Sequence, residues 1–583
     1  MIPARSLPNL PRIIARPRLL AKLQAALQYR LTLISAPPGY GKTTLAAQFV
    51  LNISYPTAWH TIEERDRDLP ILHSTALDAL SYIAPEIKSL ASSQGYTPTE
   101  NVALISDYLR DNVADDFLYI VDDVHLLTGS PAAESWLQAL VTLMPGNCHL
   151  ILISRSLPSL PLAEMIGRGQ VQAIGETDLS LTLDEVRELG KLNVDQIMSE
   201  VEIENLFNRL AGWPAGTVLA IQPLPTEIAR ASLSGGEGPE ALFDALATAM
   251  LAAQPPRIRD FLLTSSTLSR LNPEALSAAF GITKVANLLA EIQSRNLFVV
   301  HAPGGMFYHL LLRRFLQKQL KETDPGQFAL LHSQAAAWYE AQDQLDSALD
   351  HYLIAEQLAQ ASEIAARTAH ACFAQGKWET LLKWNSRLRD VGASIPSLLY
   401  CCALIYSDRY DYEAAQRCLS EAENSLSPHD SRPGLADIEI QRGMIRLQQG
   451  AYQEAADRVA QFVKYPPGLD NVRGRALRIL GYAQMRLGNI ETAAIYLEEA
   501  VPLHREDGDS HALGNVLQDL GVVYARLGHL DDALGCLQEV IALRRSLGSP
   551  ITLAQALNNL GYYYHRSGNY ERAGKTLQEG LAT

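Results

Sequence analysis

A single lysine sits in a knot of prolines and glycines, Ser35-Ala36-Pro37-Pro38-Gly39-Tyr40-Gly41-Lys42-Thr43-Thr44. The apolar run Leu31-Thr32-Leu33-Ile34 precedes the knot, and a helix-forming stretch follows it to Val50. Strand, tight turn and helix in that order build a cradle for phosphate. Backbone N–H groups in such a turn point inward, and the helix N-terminus adds about half a positive charge. Gly39 and Gly41 permit the backbone angles that the turn demands. Lys42 is spaced to reach the β- and γ-phosphates of a nucleotide, and the Thr43 hydroxyl to hold Mg²⁺. Ala36 stands where the motif G-x-x-x-x-G-K-[ST] has its first glycine, and its methyl is small enough for the loop to accept.

A second constellation lies further on. Phe117-Leu118-Tyr119-Ile120-Val121 is apolar and ends in Asp122-Asp123. Alone, such an ending reads as a solvated turn. Beside a phosphate loop, Asp122 is placed to bind Mg²⁺ through water, and Asp123 to orient or deprotonate an attacking water. The run Ile151-Leu152-Ile153-Ser154 ends in Arg155, either a cation that senses a γ-phosphate or a surface arginine at the sheet edge. His125 follows the two acids and reads as a neighbour of the site, not a metal ligand. The run Glu63-Glu64-Arg65-Asp66-Arg67-Asp68 reads as a solvated loop after the second strand, on the ligand side of such a sheet.

These residues need a scaffold to hold them together. Apolar runs at 31–35, 57–62, 117–121, 150–154 and 171–174 alternate with amphipathic stretches, the pattern of a parallel sheet with helices on both faces. From about residue 184 the pattern is helical, broken at Ser234-Gly235-Gly236-Glu237-Gly238, which reads as a linker. Helices from 240 to 322 enclose an expected hairpin around Ala302-Pro303-Gly304-Gly305, hence a winged helix. Beyond 326 the chain repeats. Leu480-Gly481-Tyr482, Leu520-Gly521-Val522 and Leu560-Gly561-Tyr562 recur, followed by Gly488, Gly528 and Gly568 and by Ala493, Ala533 and Ala573. Stacked helical hairpins of the tetratricopeptide kind explain that period. Within Tyr562-Tyr563-Tyr564-His565 the repeat spacing favours core packing. The expected divisions are a P-loop domain at 1–182, a helical domain at 183–235, a winged helix at 236–322 and a repeat solenoid at 323–583.

Composition narrows the class. A chain of 583 residues needs several cores, about four by ordinary domain size. A net charge of −15 with no long basic run argues against an extended nucleic-acid surface. Six scattered cysteines in no metal-binding spacing read as buried thiols of a reducing compartment. Neither an export signal nor a spanning segment is apparent, so the expected location is cytoplasmic.

Several stretches together resemble the MalT-like STAND ATPases, the large ATP-binding regulators of the LuxR type. They are Ile14-Ala15-Arg16-Pro17-Arg18-Leu19-Leu20, the loop 36–44, Thr57-Ala58-Trp59, Val121-Asp122-Asp123-Val124-His125, Ala211-Gly212-Trp213-Pro214-Ala215, Arg259-Asp260-Phe261-Leu262-Leu263, Tyr308-His309-Leu310-Leu311 and Trp338-Tyr339-Glu340-Ala341-Gln342. The resemblance implies a multidomain α/β P-loop fold of the AAA+/STAND kind, then a helical domain, a winged helix and a solenoid. It implies that Pro214 packs on adenine, that Ile14 and Arg18 line the adenine side, and that His309 contacts the β-phosphate of ADP. Two adjacent histidines are more usual there, and Leu310 replaces the second, so a histidine merely starting a helix stays an alternative. Members normally end in a DNA-binding helix-turn-helix; none is expected in this chain, which stops inside a repeat.

The resulting expectation is a switch: ATP or ADP with Mg²⁺ at the loop, slow ATP hydrolysis resetting it, an inducer or partner protein at the repeats, self-association with ATP, and DNA reached only through another domain. The alternative is a repeat scaffold in which nucleotide only supports the fold. A motor acting on DNA or protein has neither a second ATPase module nor a basic channel to support it.

Overall fold

The computed structural model describes residues 14–92, 97–191, 199–221, 239–295, 297, 299–302, 305–426, 431–464, 470–547 and 550–582. The linker expected at 234–238 and the hairpin tip at Pro303 and Gly304 lie outside the described residues. The chain forms two compact units, residues 1–91 with 102–364 and residues 92–101 with 365–583.

The first unit carries a five-stranded parallel sheet in the order β2-β3-β4-β1-β5. Its strands are β1 (Leu31–Ser35), β2 (Thr57–Thr61), β3 (Phe117–Asp122), β4 (Cys148–Ser154) and β5 (Val171–Ile174). Leu31 of β1 stands opposite Leu150 on one side and Val171 on the other. The apolar runs lack alternation because both faces are covered. Ile34, Leu118, Ile120, Ile151 and Ile153 pack with Leu19 and Leu23 of α1 (Pro17–Ala26) and Leu45 and Phe49 of α2 (Lys42–Leu51). Leu33, Tyr119, Val121 and Leu152 face the other way. They meet Leu72 of α3 (Leu69–Leu80), Ile105 of α4 (Pro98–Asn112) and Trp136 of α5 (Pro131–Leu143).

A buried polar chain crosses that second face. Tyr119 Oη lies 3.0 Å from His60 Nδ1, His60 Nε2 lies 3.1 Å from Thr75 Oγ1, and Thr75 Oγ1 donates to Asp66 Oδ1 at 3.0 Å. The Glu63 N–H donates to the other Asp66 oxygen. The acidic run is therefore not a solvated loop: Glu64–Arg67 form one 3-10 turn, and Asp66 and Asp68 are each 1% exposed. The physical reason is local. Asp66 caps the turn that starts at Glu63, and a capping carboxylate is stabilised by the N–H groups it accepts.

The helix α6 (Leu162–Gly167) lies between β4 and β5, and after β5 come α7 (Glu176–Leu179), α8 (Leu183–Lys191), α9 (Glu200–Leu210) and α10 (Pro214–Ala220). Helices Pro239–Ala252, Pro256–Ser265, Pro273–Phe280 and Val285–Ser294 then lead to the hairpin of β6 (Val299–Ala302) and β7 (Gly305–Tyr308) and the helix Leu310–Thr323. That is the winged helix. Phe328 and Leu331 of the next helix, Pro325–Ala341, pack with Leu320, Leu263 and Phe280. For that reason the first unit runs on to residue 364, past the onset of helical periodicity.

Among the described residues beyond 365 the second unit has only helical elements, in antiparallel pairs such as Asp470–Leu487 with Ile490–Asp507 and Ser510–Leu527 with Leu530–Leu547. The recurring glycines have two jobs. A Cβ on Gly481 would fall 2.5 Å from Leu497 Cγ, and one on Gly561 2.6 Å from Leu577 Cγ, so these glycines let paired helices approach. Gly488, Gly528 and Gly568 end their helices at φ of +95°, +87° and +80°, a left-handed cap. Tyr563 and Tyr564 are core residues, whereas Tyr562 is exposed. None of the six cysteines is joined in a disulfide. Among the described residues no helix is long and apolar enough to cross a membrane.

Two outcomes follow from this packing. Burial holds the His60 imidazole down at about 4, against about 6.5 in an unfolded chain. Its contribution to stability is whole above pH 6.5 and is lost as pH falls toward 4, because only the unfolded chain takes up the proton there. His60→Gln should therefore flatten the stability–pH slope in that window by about one proton, read from denaturant melts at several pH values. Gly481→Ala should lower the stability of the repeat unit by about 1–3 kcal/mol through overpacking, seen as a lower midpoint in thermal melts.

Candidate functional site

The loop between β1 and α2 takes its shape from its own residues. Ala36 N–H donates to Ser154 O at 3.4 Å, so the chain runs on extended past β1 before it turns. The Ala36 methyl is buried with Ile34 and Leu45, and its φ is not in the left-handed region. The missing first glycine thus costs no backbone strain. Gly39 and Gly41 do adopt positive φ, +86° and +75°. Gly41 caps α2, and the N–H groups of Gly41 and Lys42 find no acceptor among the described residues.

Lys42 is buried, and its ammonium donates to the carbonyls of Ala36 at 2.6 Å and Pro37 at 3.0 Å. Burial draws its pKa down to about 8, against the pull of Asp122 and Asp123. Thr43 Oγ1 donates to Asp122 Oδ2 at 2.9 Å, and the Asp123 N–H donates to Asp122 Oδ1 at 2.9 Å. Burial first, and then the Asp123 charge, push the Asp122 carboxyl up. A hydroxyl and a buried carboxylate that share one hydrogen bond beside a lysine are the donor set a hydrated divalent cation takes up. Asp123 has φ +58°, a strained angle for a residue other than glycine. Its Oδ1 faces Arg155 Nη2 at 3.9 Å and His125 Nδ1 at 3.7 Å.

Three further segments of the same unit reach this edge. Ala215 N–H donates to Gly39 O at 3.0 Å, and Trp213 Nε1–H to Pro38 O at 3.4 Å. A Cβ on Gly39 would meet Ala215 Cβ at 2.8 Å and Trp213 Nε1 at 2.9 Å. Pro214 is the first residue of α10, between those two contacts. His309 caps the helix Leu310–Thr323, its Nδ1 accepting from the Leu311 N–H at 3.4 Å. Enclosure by protein, then the charges of Lys42 and Arg155, hold it at about 4, so His309 lies within their field as a neutral ring. Arg270 of the winged helix pairs with Glu63, next to the Asp66 turn.

The other expected residues have partners of their own. Arg18 is committed to Glu185, with bonds of 3.0 and 3.1 Å, and to the carbonyls of Asp178 and Ser180. Arg16 joins the same carboxylate. Together they fasten α1 to α8. Ile14 is buried, and its carbonyl accepts from Gln48 Nε2 on α2 at 3.0 Å. Tyr40 Oη donates to Glu176 at 2.7 Å. Pro37 is exposed, and Pro38, Thr43 and Thr44 are half-buried. Sequence reasoning assigned no part to Trp213, Ala215 or the Glu63–Arg270 pair. The stretch Gly212-Trp213-Pro214-Ala215 held the signal, since Gly212 tolerates no side chain against the Leu181 carbonyl.

Comparisons with known proteins agree with this architecture. Residues 247–328 match the MalT winged helix domain. Residues 473–546 and 519–583 match two tetratricopeptide repeat models. Among solved structures the chain is similar to a Signal Transduction ATPase with Numerous Domains (STAND) protein with a tetratricopeptide repeat sensor from Pyrococcus horikoshii. Identity is 16% and the TM-score 0.61, over 99% of this chain and 84% of that one. That likeness is one of fold. Weaker likenesses, too slight to bear on the fold, are to the Walker-type ATPase of Pyrococcus abyssi and to BtubC from P. vanneervenii. The first has 16% identity and TM-score 0.28, over 52% of this chain and 96% of that one. The second has 20% identity and TM-score 0.29, over 40% and 90%.

The Gly39 contacts make a direct test. Gly39→Ala should strain the left-handed turn and drive a methyl into Ala215, lowering the thermal midpoint of the first unit, whereas Gly146→Ala, which meets nothing within 4 Å, should not. Differential scanning calorimetry of both variants reads the difference.

Proposed function

We propose that this MalT-like chain is a nucleotide-operated signalling switch, with a P-loop domain at 1–182, a helical domain at 183–235, a winged helix at 236–322 and a repeat sensor at 323–583. One observation carries the reading: Trp213 and Ala215, from a later module, hydrogen-bond the loop that bears Lys42. A module that hydrogen-bonds a phosphate loop's own carbonyls responds to any change in that loop.

In this reading the N–H groups of the loop and Lys42 bind the phosphates of ATP or ADP. Thr43 and Asp122 hold Mg²⁺, whose charge, when bound, neutralises that developing on the phosphates. Asp123 directs water and Arg155 faces the terminal phosphate. His309 and Pro214 bear on the nucleotide from the winged helix and the helical domain. The Glu63–Arg270 pair favours the closed resting form with ADP. An inducer or partner protein at the repeats favours the open form, which releases ADP, takes ATP and self-associates; slow hydrolysis resets it. The P. horikoshii protein's repeat sensor supports that division of labour. Moving such an equilibrium by two decades takes about 2.7 kcal/mol of differential affinity. Transcription is the proposed output.

Lys42→Ala should lower ATP and ADP affinity by at least about a hundredfold, measured by titration calorimetry on the full chain, and Asp122→Asn should weaken the Mg²⁺ dependence of binding. Undiminished affinity in Lys42→Ala would sink the site. If wild-type protein binds both nucleotides with the same particle size and no turnover, the scaffold reading replaces the switch.

A further inference from the structure

One guanidinium of the repeat unit is buried without a carboxylate. Arg544, in the last turn of the helix Leu530–Leu547, is 3% exposed. Neighbouring arginines reach acids: Arg475 pairs with Asp437, Arg478 with Asp519 at 3.0 Å, and Arg505 with Glu539 at 2.6 Å. Among the described residues Arg544 has no such pair. Its Nη1–H donates to His511 Nδ1 at 3.0 Å and its Nη2–H to Asn515 Oδ1 at 2.6 Å, while its buried Nε–H finds no acceptor. Burial, and next the like charge of Arg478, draw its pKa down. A buried charge without an opposite one is costly, and polar groups that folded chains leave unpaired tend to mark a function.

Packing does not demand a cation at this position. Gly514, near the start of Ser510–Leu527, makes the room: a Cβ there would fall 3.4 Å from Arg544 Cζ and Nη2. One period earlier Gly474 makes the same room for His504, a Cβ on it falling 3.1 Å from the ring Nε2. The slot thus holds an imidazole in one hairpin and a guanidinium in the next. The groups that meet Arg544 are themselves donors on their other side. Arginine only donates, so His511 Nδ1 accepts and the ring carries its proton on Nε2. Asn515 spends Oδ1 on Arg544, which leaves its NH₂ to donate elsewhere. His511 is exposed and Asn515 half-buried, so ligand has access to both. Nη2–H and Nε–H lie side by side on one edge of the guanidinium, a fork for two oxygens, and Asn515 supplies one.

We propose that Arg544, His511 and Asn515 form an anion site in the repeat unit, which takes the carboxylate or phosphate group of a small ligand. One oxygen of that group replaces Asn515 Oδ1 at Nη2–H, and a second accepts from Nε–H. His511 Nε2–H and the freed Asn515 amide donate to the same group. The ligand brings the opposite charge that the fold withholds from Arg544, and a charge-assisted fork of this kind is among the stronger polar contacts. As the chemistry of an inducer this rests on the repeat-sensor reading above, whereas binding itself needs no nucleotide.

The test compares full-length wild type, Arg544→Met, Arg544→Lys and His511→Ala, with succinate, citrate and inorganic phosphate as probes at an ionic strength matched with chloride. Titration calorimetry should show wild type binding at least one probe, and that probe should raise the wild-type thermal midpoint. Affinity should fall by at least about tenfold in Arg544→Met and in Arg544→Lys, which keeps the charge but not the fork, and by about threefold in His511→Ala. Whether a carboxylate or phosphate binds more tightly names the group the ligand carries. Wild type that binds none of the probes overturns the inference, and so does an affinity that Arg544→Met or Arg544→Lys leaves unchanged. If Arg544→Met does not fold, Arg544→Lys and the exposed His511→Ala decide, and unchanged affinity in both overturns the inference. A probe that binds through Arg544 and leaves ATP affinity unchanged upholds the site and refutes the sensor reading, so the two fail separately.

Discussion

A buried ammonium governs the first unit. Lys42 is buried, and two carbonyls of its own loop accept hydrogen bonds from it. Removing a charge from water is among the larger penalties a fold can carry. Its surroundings answer that penalty. Asp122 and Asp123 supply opposite charge at a distance, Arg155 is drawn off toward Asp123, and His309 stays neutral within reach of the same field. A loop so arranged is fitted to exchange two carbonyls for stronger acceptors.

The loop is also where later parts of the chain meet the sheet. Gly39 has no side chain, and the space goes to Ala215 and Trp213. The carbonyls of Pro38 and Gly39 accept from the segment that begins α10, so that segment and the loop share hydrogen bonds and must adjust together. At the neighbouring strand end, the capped turn at Asp66 holds Glu63 where Arg270 can pair with it. An exposed ion pair of this kind is worth little alone. Its interest lies in its position, two residues beyond the strand that borders Asp122.

The repeat unit follows a different economy of space. Gly481 and Gly561 bring paired helices close, whereas Gly488, Gly528 and Gly568 stop helices by adopting a left-handed angle. The capping glycines recur at one period, so each of these hairpins repeats its cap, whereas at Gly521, between the two close crossings, a Cβ would meet only ordinary contacts at 3.5 Å. Stability in such arrays is local, each pair leaning on the next.

Much of this was legible in the residues before any coordinates. Five apolar runs marked five strands, because strands covered on both faces need unbroken apolar sequence. Gly39 and Gly41 announced a tight turn between β1 and α2, because two left-handed residues before a helix call for glycine. The repeat glycines announced hairpins by their period. What the sequence could not disclose was the outcome of competition among long-range partners. Arg18 was expected on the adenine side; its bonds to Glu185 come from the packing of α1 against α8, which no local pattern discloses. The run at 63–68 has the composition of a solvated loop, yet Asp66 is buried because Thr75, nine residues on, donates to it. Trp213 and Ala215 lie about 175 residues from the loop they grip, a distance across which no local pattern operates. Spacing along the chain determined what chemistry the strand ends can carry; three-dimensional proximity decided which side chains attend it.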